Sequence, residues 1–159
     1  MDEVVASLTT PESCERFAST VQARCPALAQ EARRRAVELR AAAHGASTDA
    51  EREALEAVYA YERVLSGTHG RTVHASRTWQ MIKRHGTIPA VERVVCRKAE
   101  SAGYHALVKM GMQDKAFEAV VLRHPDVFSP EAVARSKERL RDWTAGTNSH
   151  EGQGKQGSD

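Results

Sequence analysis

Residues 67–98 carry the chain's excess of positive charge. This segment holds seven arginine and lysine residues against one acid, Glu92, whereas the rest of the 159-residue chain holds 16 basic and 20 acidic residues. The seven cations are Arg71, Arg77, Lys83, Arg84, Arg93, Arg97 and Lys98. Contacts from Arg and Lys to phosphates supply the sequence-independent part of nucleic-acid affinity. Because a local basic stretch in an otherwise acidic protein concentrates potential on one surface, we expect these seven side chains to bind nucleic acid.

The same segment has the outline of a helix-turn-helix pair over 76–98. The first helix is predicted at about 76–85 and the second at about 88–98, with the turn "HGTIP" between them, and in this geometry the second helix enters the major groove. The outward positions of the second helix are predicted to be Ala90, Arg93, Arg97 and Lys98. Glu92 and Pro89 depart from the usual pattern. Since similar turns occur in helical proteins that never meet DNA, a purely structural role with a basic solvent face stays open.

Trp79, in the middle of this segment, has two interpretations. It could stack on an unpaired base if the partner were single-stranded. Its spacing of three from Ile82 favours an inward-facing core position instead. DNA is favoured over RNA as the partner.

No pattern of catalytic or metal-binding residues is present. The sequence contains no GxSxG, HExxH, P-loop or dinucleotide fingerprint, so neither catalysis nor a cofactor is predicted. A metal site is not predicted either, because the clustered His69, His74, His85 and Cys96 lack helical ligand spacing and a carboxylate. An enzymatic alternative would place a site in the loop 67–74, beside Tyr61 and Tyr104.

The elements that position the segment are predicted to be helices. Thr10-Pro11, Pro26 and Thr48-Asp49-Ala50-Glu51 are helix-start signals, and no run of alternating β-branched residues occurs. The result is an all-α compact bundle of about seven short helices in one domain over 1–144, with possible subdomains 1–66 and 75–144. The helix after Thr48 has a wide apolar surface and is expected to be central. Residues 145–159 lack large apolar side chains and are predicted to be a disordered tail.

Cysteine usage and hydropathy indicate a cytoplasmic protein. The three cysteines form no CxxC pair, the N-terminus lacks a basic n-region, and no apolar stretch approaches the ~18–20 residues that span a bilayer. No membrane association is expected. The alternative to nucleic-acid binding is a protein-interaction module, such as an adaptor, an inhibitor or a homodimer subunit. It rests on the apolar stretches 49–66 and 113–123, which exceed what one small bundle needs to bury.

Overall fold

The computed structural model describes residues 1–148, and within them the protein is all-α, as the sequence predicts. The nine α-helices of this part of the chain are α1 (Glu3–Ser7), α2 (Pro11–Val21), α3 (Pro26–His44), α4 (Asp49–His69), α5 (Ser76–His85), α6 (Thr87–Cys96), α7 (Ala102–Lys109), α8 (Phe117–Arg123) and α9 (Pro130–Asn148). A short 3-10 turn at Gln113–Lys115 precedes α8. No helix of the described residues combines the length and the hydropathy needed to cross a bilayer.

Helix starts follow the predicted capping chemistry. Thr10 Oγ1 accepts a hydrogen bond from the Ser13 amide, and Ser13 Oγ accepts one from the Thr10 amide, which completes a capping box. Thr48 Oγ1 accepts the Glu51 amide, but the Glu51 carboxylate reaches back to the Ser47 amide at 2.8 Å rather than to that of Thr48. Both arrangements satisfy backbone amides that a helix start would otherwise leave without partners.

α4 is the central helix, which confirms the expectation from its wide apolar surface. It packs against α3, α6, α7 and α8. One face contributes Ala54 and Ala57 to a core shared with α6, α8 and α9. The other contributes Ala60 and Val64 to a core shared with α3, α7 and the segment before α8. A third, smaller core joins α1, α2 and α3.

The boundaries differ from the prediction in four places. α1 is an additional helix, with Asp2 as its N-cap. α4 continues through Gly67 to His69, so the predicted loop at 67–74 begins only at Gly70. The predicted helix over 113–123 is broken at Ala116, whose backbone is extended. α9 continues to Asn148, so 145–148 are helical rather than part of the predicted tail, and 149–159 lie outside the described residues.

A buried ion cluster joins α3, α4 and the 3-10 turn. Lys115 is 3% exposed, and its Nζ lies 2.8 Å from Glu56 Oε2 and 3.5 Å from Glu38 Oε1. Arg34 pairs bidentately with Asp114 and also contacts Glu38. Loss of solvation alone would raise the pKa of Asp114, but the hydrogen bonds and charge of Arg34 outweigh it and leave that pKa below its usual value. These ion pairs fasten the segment before α8 to the two long helices.

Candidate nucleic-acid interface

The seven cations of residues 67–98 are exposed, and none is ion-paired within residues 1–148. Each of the seven falls in the exposed class. The carboxylates that could have neutralised them are engaged elsewhere: Glu38 with Arg34 and Lys115, Glu53 with Arg123, and Glu118 with Arg139. The seven positive charges of the segment therefore face solvent without an ion-pair partner in residues 1–148.

Other cations of the chain behave differently. Eight arginine and lysine side chains outside 67–98 form ion pairs with carboxylates: Arg34, Arg40, Arg52, Arg63, Lys115, Arg123, Arg135 and Arg139. Eight of the 15 arginine and lysine residues described outside 67–98 are therefore ion-paired, whereas none of the seven in the basic segment is. A helix face that serves only solubility would also leave some cations unpaired, so a binding site requires in addition that the cations lie close together.

Three of the arginines come together across the junction of α5 and α6. Arg77 and Arg84 are seven residues apart, or about two helical turns, so they share one face of α5. Together with Arg97 from beyond the end of α6, they line a cleft of about 280 Å³. The chain reversal at Gly86, whose φ of +91° favours glycine, brings Arg97 back towards α5.

Arg93 and Lys98 extend this group. The pKa of His85, which also lines the cleft, lies below its usual value because reduced solvation and the positive charges of Arg93 and Arg84 disfavour its protonated form. Arg93, on α6, thus adds positive charge near the same histidine as Arg84. Lys98 lines a larger cavity together with Arg77 and Arg97. We call Arg77, Arg84, Arg93, Arg97 and Lys98 the basic patch.

Lys83 and Arg71 are not brought into this group by the contacts of the fold. Lys83 is the residue before Arg84, so its side chain leaves α5 at about 100° from that of Arg84 around the helix axis. Arg71 lies in the loop between α4 and α5 and lines neither the cleft nor the larger cavity. Both are exposed cations, and neither is assigned to the basic patch.

Trp79 anchors α5 and is not available for base stacking. Its indole N–H donates to Glu62 Oε1 at 2.5 Å, and its ring lies 5.1 Å from His44 and 5.1 Å from Tyr59. Glu62 also accepts the amide of Ala75, just before α5 begins. Two residues span about 200° of helix, so Trp79 and Arg77 lie on opposite sides of α5. Anchoring by Trp79 thus turns the arginine face outward, which agrees with the inward position predicted for it.

Replacing Trp79 by phenylalanine is expected to lower the free energy of unfolding by about 1.5–3 kcal/mol, the range for a hydrogen bond to a charged group. The carboxylate of Glu62, only 12% exposed, would lose its indole donor. The matched control is Trp143→Phe, because the Trp143 indole stacks on Tyr104 but donates no hydrogen bond within the described chain. Urea unfolding followed by circular dichroism measures both; equal losses would show that the Glu62 bond contributes nothing.

Two features predicted for the second helix of the pair, the outward position of Ala90 and the bounds of the helix, are wrong. Ala90, predicted to face outward, is fully buried, because α6 packs against α4, α5, α8 and α9. α6 starts at Thr87, directly after Gly86, so all of the predicted turn "HGTIP" except Gly86 is helical, and Arg97 and Lys98 lie past the end of α6 at Cys96. The departure at Glu92 has a structural explanation, since its carboxylate accepts the amide of Ser129 ahead of α9.

A larger cavity of about 770 Å³ lies beside the basic patch. It is lined by parts of α4, α5, α6, α7, α8 and α9 and by the segments around them, and it includes Tyr61, His74 and Tyr104, the residues of the enzymatic alternative. Within the part of the chain that the structure describes, no three His, Cys, Asp or Glu side chains are grouped to hold a metal ion.

Comparison with known protein families, curated proteins and solved structures finds no match to this chain. The function must therefore be argued from the charge and geometry of the site.

Proposed function

We propose that this protein binds nucleic acid through the basic patch, as a regulatory or accessory protein that performs no catalysis. The observation that carries the proposal is that all seven cations of 67–98 are exposed and without ion pairs in residues 1–148, and that four of them, Arg77, Arg84, Arg97 and Lys98, line two cavities that share Arg77 and Arg97. Arginine and lysine held this way offer charge-assisted hydrogen bonds to phosphate oxygens.

The mode of binding that fits this surface is contact with the phosphate backbone. α6 packs against α4, α5, α8 and α9, with Ala90 buried, and the Trp79 ring is already in contact with His44 and Tyr59. Contacts to phosphates position a protein on nucleic acid and carry no sequence information of their own. Duplex DNA is the first partner to test, with little dependence on base sequence. The three cysteines are free thiols, as is usual in a reducing compartment, and we propose that the protein is located in the cytoplasm.

The alternative, a protein-interaction module, has less support from the fold. The apolar faces that motivated it are covered within the chain: Leu55 and Val58 of α4, and Val120 and Val121 of α8, are buried. Large hydrophobic side chains that the described residues leave exposed are Met1, Val4, Val108 and Val127. Exposed hydrophobics of this number and dispersion are normal for a protein surface.

Salt dependence of binding is the test of the proposal. Five phosphate contacts predict that the logarithm of the binding constant falls against the logarithm of salt concentration with a slope of about −4.5 on duplex DNA. Fluorescence anisotropy with labelled duplex DNA, single-stranded DNA and RNA measures it, beginning at low salt. Absence of binding to all three at low salt, or a slope near zero, overturns the proposal.

A further inference from the structure

We infer that the cavity beside the basic patch is a second binding site, for a small organic anion with an aromatic body. Its volume, about 770 Å³, falls in the range of about 300–1,000 Å³ typical of small-molecule sites. This inference does not require nucleic-acid binding, because it concerns a different ligand, although the mouth of the cavity shares Arg77, Arg97 and Lys98 with the basic patch.

The interior of the cavity suits an aromatic ring. Its walls include two aromatic contacts from different helices, Tyr61 against Phe117 at 6.3 Å and Tyr104 stacked on Trp143 at 5.6 Å between ring centroids. Aromatic rings favour offset or edge-to-face contact with a further ring. Apolar side chains such as Leu107 complete the walls.

The buried charges that reach this cavity are already satisfied. Lys115 is paired with Glu56 and Glu38, and Glu118 accepts from Arg139 at 3.1 Å. Neither offers an unpaired charge to the part of a ligand that enters. The body of the ligand is therefore uncharged, since burying an unpaired charge is strongly unfavourable.

The solvent edge of the cavity, in contrast, favours a negatively charged group on the ligand. Arg77, Arg97 and Lys98 line the cavity and are exposed, so they lie at its mouth, against one acid there, Glu100. None of the three cations has an ion-pair partner within the described residues. In addition, Arg139 donates to the main-chain carbonyl of Arg97, which fixes the backbone that carries this cation. The mouth thus favours a carboxylate, sulfonate or phosphate.

The test uses 1-naphthyl phosphate as the probe, with 1-naphthol and inorganic phosphate as its two halves, and isothermal titration calorimetry of the full chain. Because ring and anion are each bound by a different part of the site, 1-naphthyl phosphate is expected to bind at least about tenfold more tightly than either half. Equal affinity for 1-naphthol and 1-naphthyl phosphate would show that the cations at the mouth do not bind the anion. No binding heat from either compound would show that the cavity does not bind the ring. Either result overturns the inference.

Two variants locate the binding. Gly103 lines the cavity from α7, and a Cβ added there meets no atom within 4 Å, so Gly103→Phe is expected to fill the space and weaken 1-naphthyl phosphate at least about tenfold. Val108→Phe, at an exposed position of the same helix, is the control and keeps wild-type affinity. Arg97→Gln with Lys98→Gln, at exposed and unpaired positions, keeps the fold and brings the affinity for 1-naphthyl phosphate down to that for 1-naphthol. Wild-type affinity in that double variant contradicts the inference even if Gly103→Phe fails to fold.

Discussion

Replacement of Lys115 by methionine is expected to lower the free energy of unfolding by about 3–5 kcal/mol, the loss found when one partner of a buried ion pair is removed. Lys115 is 3% exposed, and its Nζ is 2.8 Å from Glu56, which is itself 7% exposed. Methionine fills much of the same space but leaves the Glu56 carboxylate buried with only Arg52, at 3.1 Å, as its remaining cation. Urea unfolding at neutral pH, followed by circular dichroism, measures the loss.

The matched control for this variant is Arg123→Met. Arg123 pairs with Glu53 at 2.9 Å, a similar distance, but its side chain is 40% exposed. Exposed pairs contribute about 0–1 kcal/mol, because water already stabilises both charges. If Lys115→Met costs no more than Arg123→Met, the Lys115–Glu56 pair is not a structural element of the fold.

Much of the fold could be predicted because its signals are local. The caps at Thr10 and Thr48, the proline that opens α3 and the wide apolar surface of α4 each depend on residues within a few positions of one another. Lys115 shows where such signals stop. Its partners, Glu56 and Glu38, lie 59 and 77 positions away in the chain, and nothing in the segment "MQDK" distinguishes a buried lysine from an exposed one. Ala90 is a second example: as a small residue it fits an outward contact as well as a buried one, and only the packing of α6 decides.

The candidate site likewise has features that could be predicted from the sequence and features that could not. The sequence shows how many cations the segment has, and the seven-residue spacing of Arg77 and Arg84 places them on one helical face. It does not show that Arg97 returns to that face, because the direction of α6 after Gly86 is set by its packing on α4, α8 and α9. The cavity could not be predicted at all, since its walls come from segments as far apart as Ala57 and Trp143.

Reversing four charges of the basic patch is expected to lower affinity for duplex DNA by about 10³-fold or more at 50 mM salt, because each phosphate contact contributes roughly tenfold there. The variant is Arg77→Glu, Arg84→Glu, Arg93→Glu and Arg97→Glu. All four side chains are exposed and without ion pairs in residues 1–148, so the helical circular-dichroism signal should be unchanged. Fluorescence anisotropy across a salt series should also give a slope reduced by about 3.6.

The control reverses four cations that line neither the cleft nor the larger cavity, Arg16, Arg24, Lys137 and Arg141, which are also exposed and unpaired among the described residues. Both variants change the net charge of +2 by the same amount. Because none of the four contributes to the lining that Arg77, Arg84 and Arg97 share, the control should lose much less affinity than the patch variant. Equal losses would mean that overall charge drives binding, and unchanged affinity in the patch variant would place the nucleic-acid contact elsewhere. Only a large loss confined to the patch variant assigns phosphate binding to the junction of α5 and α6.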